Sequence, residues 1–277
     1  MKAQYHLFRR GSRTYFNSTL FFPPAVRREV FILYGFVRKA DNFVDSVPQQ
    51  SEAFGAYCAA YRAALTGKPS GDPVIDDFVQ LIEQRGFELE WVEAFLHAME
   101  MDLSKRVYRT LEESLEYMYG SAEVIGLCMA QIMHLGAETH HSARMLGRAM
   151  QYINFIRDIE EDNGFGRTYL PLDETSLPSL RLSDVSRDRA EFSRFIAAQL
   201  DRYQHWQQQA AAGFSLMPFR YRVPVKTAAD MYHWTACVIR DDPMVVYRRK
   251  VKPGRVRIVS QAVRNAFLDR EVVPTYA

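Results

Sequence analysis

The stretch MQYINFIRDIEEDNGFGRTYLP, residues 150–171, decides how this chain folds. On a helix each residue turns by about 100°, so Gln151, Asn154, Asp158 and Asp162 fall within an arc of roughly 80°. Ile153, Phe155, Ile156 and Ile159 surround that arc, so a polar stripe is set into an otherwise apolar helix. Asn163-Gly164 and Gly166 then predict the helix end, with Arg167 and Tyr169 on the loop that follows.

A second stretch, LYGFVRKADNFVD at residues 33–45, has the same design. Tyr34, Arg38, Asp41 and Asp45 share an arc of roughly 60° on a helix. Phe31, Phe36 and Val37 lie elsewhere around it, so the helix is apolar on more than one side. A polar stripe on such a helix is expected to face an internal cavity and not bulk water.

Outward from these two stretches the pattern stays helical. No proline occurs between Pro73 and Pro171, so helices can run unbroken there. Phe87, Trp91, Phe95, Leu96 and Met99 form one apolar face at helical spacing. Val124, Leu127, Cys128, Ile132 and Leu135 form another, and Leu146, Met150, Ile153 and Ile156 a third. Residues 25–45 and 190–212 read as helices, the latter with Asp184 or Ser186 as its cap. The best strand candidate is short, Val251 to Val259. Loops are expected near 48–50, 67–73 and 163–179. The expectation is one all-α domain over residues 1–277.

The 277 residues are 48% hydrophobic and 13% aromatic, which excludes a disordered or low-complexity chain. A net charge of +2 argues against a general nucleic-acid binder. Cys58, Cys128 and Cys237 stand far apart without a CxxC pair, so buried free thiols are expected, and with them a cytoplasmic location. The N-terminus has no apolar signal core, and no window is long and apolar enough to span a bilayer. The charge is nonetheless uneven. Residues 240–270 carry nine basic side chains against three acidic ones, which suggests a local anionic partner.

Carboxylates one helical turn apart suit Mg²⁺, which prefers oxygen ligands, keeps several waters and is usually shared with substrate phosphates. Two such stripes facing each other would hold Mg²⁺ around a diphosphate, with Arg38 and Arg157 on its oxygens. The chemistry this suits is departure of diphosphate from a carbocation in a dry aromatic cavity. Spacing alone also admits buried ion pairs between the two helices, such as Arg38 with Asp158. Asp pairs at i, i+4 occur at 41/45, 72/76, 158/162 and 184/188. Of these, 72/76 brackets Pro73 in a turn, and 184/188 reads as capping at a helix start. The His140-His141 pair reads as surface, because adjacent helix residues do not face the same way. Met129, Met133, Met145 and Met150 read as packing, or as the wall of an apolar pocket.

At these residues the sequence resembles the squalene/phytoene synthase family of head-to-head prenyl transferases. RKADNFVD is similar to its first aspartate motif, and NFIRDIEED with GRTYLP to its second. YMYGSAEVIG looks like its kinked central helix, with Gly120 at the break, and GSRTYFNSTLFFP like its N-terminal entry. The resemblance implies an isoprenoid-synthase-type helical bundle with a central cavity. It implies Mg²⁺ (with Mn²⁺ as a substitute ion) held by Asp41, Asp45, Asp158 and Asp162. Thr14, Tyr34, Arg38, Gln151, Asn154, Arg157 and Lys250 would bind the diphosphates. Tyr119, Tyr169 and Tyr232 would line the reacting centre. Two geranylgeranyl diphosphates would give phytoene through a cyclopropylcarbinyl diphosphate. The alternative is farnesyl diphosphate, giving dehydrosqualene, or squalene if NADPH takes part. The sequence departs from the family at Asn42, at Glu123 on the central helix and at Lys250, where an arginine is expected. A non-catalytic binding protein of the same fold and a metal-dependent phosphohydrolase are the other function classes. The apolar substrate and product imply peripheral contact with a membrane surface.

Overall fold

The computed structural model describes residues 19–268. Helix α1, Pro24–Asp45, opens with proline at its first turn and stops where Ser46 turns to extended backbone. Helices α2 (Ser51–Leu65), α3 (Pro73–Arg85) and α4 (Leu89–Ser104) follow. Helix α5, Leu111–Met118, starts at a capping box between Thr110 and Glu113. It runs without a break through a π-helical turn, Tyr119–Glu123, into α6, Val124–Ile132. Helix α7, His140–Arg157, leads through Asp158 into the short α8, Ile159–Gly164. The chain closes with α9 (Leu182–Val185), α10 (Arg189–Ala211), α11 (Phe219–Asp241), α12 (Val245–Arg248) and α13 (Arg255–Leu268).

Among the described residues the only strand-like pairing is a parallel bridge between Val107 and Thr168, so the all-helical expectation holds. One apolar cluster joins α1 to α12 and holds Phe36, Phe78, Phe192 and Ile196, each almost inaccessible to water. Phe36 stacks on Phe78 at 3.9 Å between ring centroids and lies 5.3 Å from the Tyr61 ring. Each such side chain contributes about 1.5–3 kcal/mol of burial. The four methionines of the central helices are all buried, as packing residues are.

Close backbone contacts surround the π-helical turn. A Cβ on Gly120 would lie 2.2 Å from the Ala94 carbonyl oxygen, and one on Gly126 would lie 2.2 Å from that of Ala143. A Cβ on Gly147 would meet the Ala122 carbonyl oxygen at 2.4 Å. The α5–α6 segment is therefore pressed backbone to backbone against α4 on one side and α7 on the other. Gly120 lies within the turn itself, as the sequence predicts for the break in the central helix.

Four sequence expectations are corrected. Val251 to Val259 is not a strand: Val251–Gly254 is an irregular approach, and α13 begins at Arg255. The cap of α10 is Asp188, whose side chain accepts from the Glu191 amide at 2.9 Å, whereas Asp184 accepts from the Ser179 hydroxyl within the preceding turn. The pair 72/76 is split between a cap and a helix: Asp72 accepts from the Val74 amide to start α3, and Asp76 sits in its first turn. Cys237 is exposed, while Cys58 and Cys128 are buried free thiols as expected.

The glycine packing predicts opposite outcomes for one substitution at two helical sites. Gly126→Ala should destabilise the protein by about 1–3 kcal/mol through overpacking. Gly55→Ala, exposed in α2 with open space around its Cβ, should stabilise it by roughly 0.5–1 kcal/mol. Urea denaturation of the two variants measures both signs.

Candidate active site

The two polar stripes meet. α1 supplies Tyr34, Arg38, Asp41 and Asp45, and the end of α7 with α8 supplies Asn154, Arg157, Asp158 and Asp162. Within α1, Arg38 bonds Asp41. Within the second stripe, Arg157 grips Asp158 with two nitrogens, Nε lying 2.8 Å from Oδ1. The alternative cross-pairing of Arg38 with Asp158 is not what forms. The helix axis breaks at Asp158 (φ −102°, ψ 14°), but the Asp162 amide still donates to the Asp158 carbonyl at 2.8 Å. That bond keeps Asp162 one turn beyond Asp158.

What joins the stripes is Arg167, a residue the sequence places on the loop without a role. Gly166 takes the left-handed conformation at φ 69°, turning the chain back under α8. The Arg167 amide then donates to the Asp162 carbonyl at 2.8 Å. Its guanidinium, 4% exposed, donates to Asp45 Oδ1 at 2.7 Å, the Val44 carbonyl at 2.8 Å and the Asp102 carbonyl at 3.3 Å. The loop carrying it is fixed by the bridge to residues 106–108, where the Thr168 amide donates to the Arg106 carbonyl at 2.8 Å.

Beneath this bridge lies Asp102, fully buried on α4 and also unassigned by sequence reading. It accepts from the Tyr117 hydroxyl at 2.6 Å and from the Tyr169 hydroxyl at 2.7 Å. Burial pushes its carboxyl up, and the Arg167 charge and the two tyrosine hydrogen bonds pull it back. Tyr169 stacks on Phe155 at 4.6 Å with the rings 8° from parallel, and Tyr108 and Tyr117 close the aromatic layer. Tyr169 is thus buried under the aspartates and spends its hydroxyl on Asp102.

The carboxylates are crowded. Burial, and then the charge of Asp45, push Asp41 up to about 7. Burial, Asp158 and Glu161 hold Asp162 well above the usual carboxylate range, and Asp45 adds to this across the two stripes. Asp158 goes the other way. Burial opposes its charge, but the Arg157 hydrogen bonds and charge, with Lys250, outweigh it and hold the carboxyl low. Lys250 Nζ lies 3.1 Å from Asp158 Oδ1 and also bonds Glu161, so the basic C-terminal segment does reach the second stripe. Tyr34 and Tyr232 are pushed up by burial and stay neutral hydroxyl donors at ordinary pH. The Tyr232 hydroxyl interacts with Asn154, whose own Oδ1 is buried without a hydrogen-bond partner.

Two sequence candidates lie at or beyond the edge of this arrangement. Gln151 lies one turn back along α7, at 3.5 Å from Asn154 Nδ2. Tyr119 is 38% exposed on the π turn, with the Arg144 guanidinium 5.4 Å above its ring. It belongs to a second polar cluster in which the fully buried Glu123 receives Arg144 at 2.9 Å and Arg148 at 2.6 Å. Glu123, which departs from the family pattern, is therefore an ion-paired core residue. Thr14 lies outside the described residues. Asn42 faces away from the aspartates into a surface groove of about 440 Å³, lined also by Lys39, Ser46 and Asp72.

The donor set is all oxygen, which fits Mg²⁺. Asp41 and Asp162 carry raised carboxyls that a nearby divalent cation would relieve. Among the described residues no three acidic, His or Cys side chains converge tightly enough to hold an ion alone.

Residues 8–257 match the squalene/phytoene synthase family, and the chain belongs to that family of prenyltransferases. It is 28% identical over 255 residues to a 15-cis-phytoene synthase of Paracoccus sp., covering 88% of this chain and 84% of that one. A 15-cis-phytoene synthase of Synechococcus elongatus is 28% identical over 263 residues, covering 87% and 84%. Among solved structures, squalene synthase HpnC from Alicyclobacillus acidocaldarius superposes with a TM-score of 0.77 at 24% identity, covering 89% of this chain and 94% of that one. A dehydrosqualene synthase in complex with ligand superposes at 0.78 and 18% identity, covering 97% and 96%.

The raised Asp41 has a consequence for stability. Its folded value of about 7 exceeds the ordinary 3.8, so between these values the folded state binds more protons than the unfolded one. Its contribution to stability in the metal-free protein therefore falls as pH rises from about 4 to about 7. Thermal melts of metal-free Asp41→Asn should decline less over that window than those of the wild type. An unchanged slope would show that Asp41 ionises freely.

Proposed function

We propose that the protein condenses two molecules of geranylgeranyl diphosphate head to head to give phytoene, in an Mg²⁺-dependent reaction at the two aspartate stripes. The observation that carries this reading is the buried Arg167 bridge, which fastens the first stripe at Asp45 to the loop leaving the second. The names of the curated relatives support the geranylgeranyl substrate.

Asp41, Asp45, Asp158 and Asp162 would hold the metal. Bound Mg²⁺ would supply charge neutralisation that lets diphosphate leave. Arg38, Arg157 and Lys250 offer cationic groups to the diphosphate oxygens once their present carboxylate partners turn to the metal. The neutral hydroxyls of Tyr34 and Tyr232 and the amide groups of Asn154 and Gln151 donate beside them. Loss of the first diphosphate leaves an allylic cation, which the double bond of the second molecule attacks. Cyclopropane closure releases a proton and gives the cyclopropylcarbinyl diphosphate. Loss of its diphosphate, rearrangement and loss of a second proton give phytoene. No reductant enters this sequence, so NADPH is needed only if the product were squalene. Among the described residues no helix is long and apolar enough to cross a membrane, which is compatible with work in the cytoplasm at a membrane surface.

The test is to incubate the protein with Mg²⁺ and either geranylgeranyl or farnesyl diphosphate, with and without NADPH, and identify the extracted product by mass spectrometry. Phytoene from geranylgeranyl diphosphate without NADPH is expected. Asp158→Asn should lower turnover by roughly a hundredfold or more with unchanged circular dichroism. Dehydrosqualene or squalene as the preferred product would move the substrate to farnesyl diphosphate. Free prenyl alcohol alone would mark a phosphohydrolase, and no product with either substrate would overturn the reading.

A further inference from the structure

Helix α13 carries apolar residues on its outer side as well as its inner one. The side it turns to the body carries Ile258, Gln261, Ala262 and Asn265. Two of these are amides, and they work as such. Asn265, 3% exposed, donates to Asp230 at 2.8 Å and to the Thr227 hydroxyl at 3.1 Å on α11, and Gln261 donates to Asp230 at 2.7 Å. The side turned outward is apolar: Val256 is 84% exposed, Val259 52%, Val263 50% and Phe267 76%. At about 100° per residue these four fall within an arc of roughly 80°, opposite Ile258, Ala262 and Asn265. A helix whose outer side faced water would have the reverse pattern.

The charges complete the pattern. On the same wheel Arg255 flanks the apolar stripe on one side and Arg264 on the other, while the Arg257 guanidinium lies over the Trp234 ring of α11, 4.7 Å from its centroid. The helix Arg255–Leu268 contains no acidic residue, and Lys252 stands exposed just before it. An apolar stripe edged on both sides by arginines is the pattern of a helix that lies in the headgroup region of an anionic bilayer, with its apolar side down and its guanidiniums among the phosphates. A second copy of the chain fits this surface less well, because pairing α13 with itself would bring arginine against arginine with no carboxylate on the helix to answer them.

We infer that α13 docks the protein on an anionic lipid surface through Val256, Val259, Val263 and Phe267, with Arg255 and Arg264 binding headgroup phosphates. This goes beyond the prenyl-transfer reading and does not depend on it. It also gives that reading a geometry. Lys250, which bonds Asp158 and Glu161, is joined to α13 by the short irregular segment 251–254, so the lipid-facing helix is anchored beside the second aspartate stripe.

The experiment is flotation of the full chain with vesicles of phosphatidylcholine alone and with roughly a third phosphatidylglycerol. Wild type should float with the anionic vesicles, and added salt should weaken the binding. Val263→Ser with Phe267→Ser should lower vesicle affinity by about a hundredfold. Arg255→Glu with Arg264→Glu should abolish the preference for anionic vesicles, at a loss of roughly fivefold or more per arginine. Circular dichroism and melting temperature should match wild type in both variants, since all four side chains point outward. Wild type that fails to float, or a serine variant that floats equally well, would overturn the inference. So would a wild-type dimer that the serine variant converts to a monomer without any vesicle binding, which would assign the stripe to self-association.

Discussion

The arrangement depends on one buried guanidinium. Arg167 has little access to water and meets a carboxylate and two backbone carbonyls. Its backbone bonds Asp162, and its side chain holds the last turn of α1 and the last turn of α4. The two terminal nitrogens of this buried arginine are answered while its Nε is not, and removing the side chain would leave Asp45 as an uncompensated partly buried charge. The two aspartate stripes are therefore not merely neighbours. They are tied through one side chain whose position is set by the left-handed turn at Gly166 and the aromatic layer around Asp102.

That layer explains why Tyr169 sits where it does. Its hydroxyl is satisfied by Asp102 and its ring by Phe155 and Tyr108, so it stiffens the floor on which Arg167 rests. The same logic governs the second polar cluster. Glu123 is buried on the π turn and answered by two arginines one turn apart on α7, with Tyr119 and Trp206 each covering one of them. Close backbone packing at Gly126 and Gly147 brings that segment near enough to α7 for the pairs to form.

Much of the fold was legible because helical periodicity is a local property. The apolar spacing in 25–45 and 190–212 marks α1 and α10 to within a residue or so of their ends. The strand misread at 251–259 came from a brief alternation in VKPGRVRIV, where Pro253-Gly254 interrupts the chain and the outward residues of α13 happen to be apolar. Burial normally decides such a pattern, and here apolar residues stand on both sides: Val251 and Ile258 are buried while Val256 and Val259 are exposed. The candidate site was legible as two stripes, because Asp41 with Asp45 and Asp158 with Asp162 share a helix face by spacing alone. Arg167 and Asp102 were not assigned, since their roles arise from contacts between α1, α4 and a loop far apart in sequence. For Glu123 a signal was present: Arg144 and Arg148, four residues apart, present two cations on one face of α7.

The central claim is that the two stripes act as one site for a metal-bound diphosphate. Isothermal titration of Mg²⁺ into the protein, with and without a non-reacting prenyl thiodiphosphate, tests it most directly. The account predicts tight Mg²⁺ binding only when the thiodiphosphate is present, and its loss both in Asp45→Asn and in Asp162→Asn. Binding that needs no diphosphate, or that survives in either variant, would contradict it.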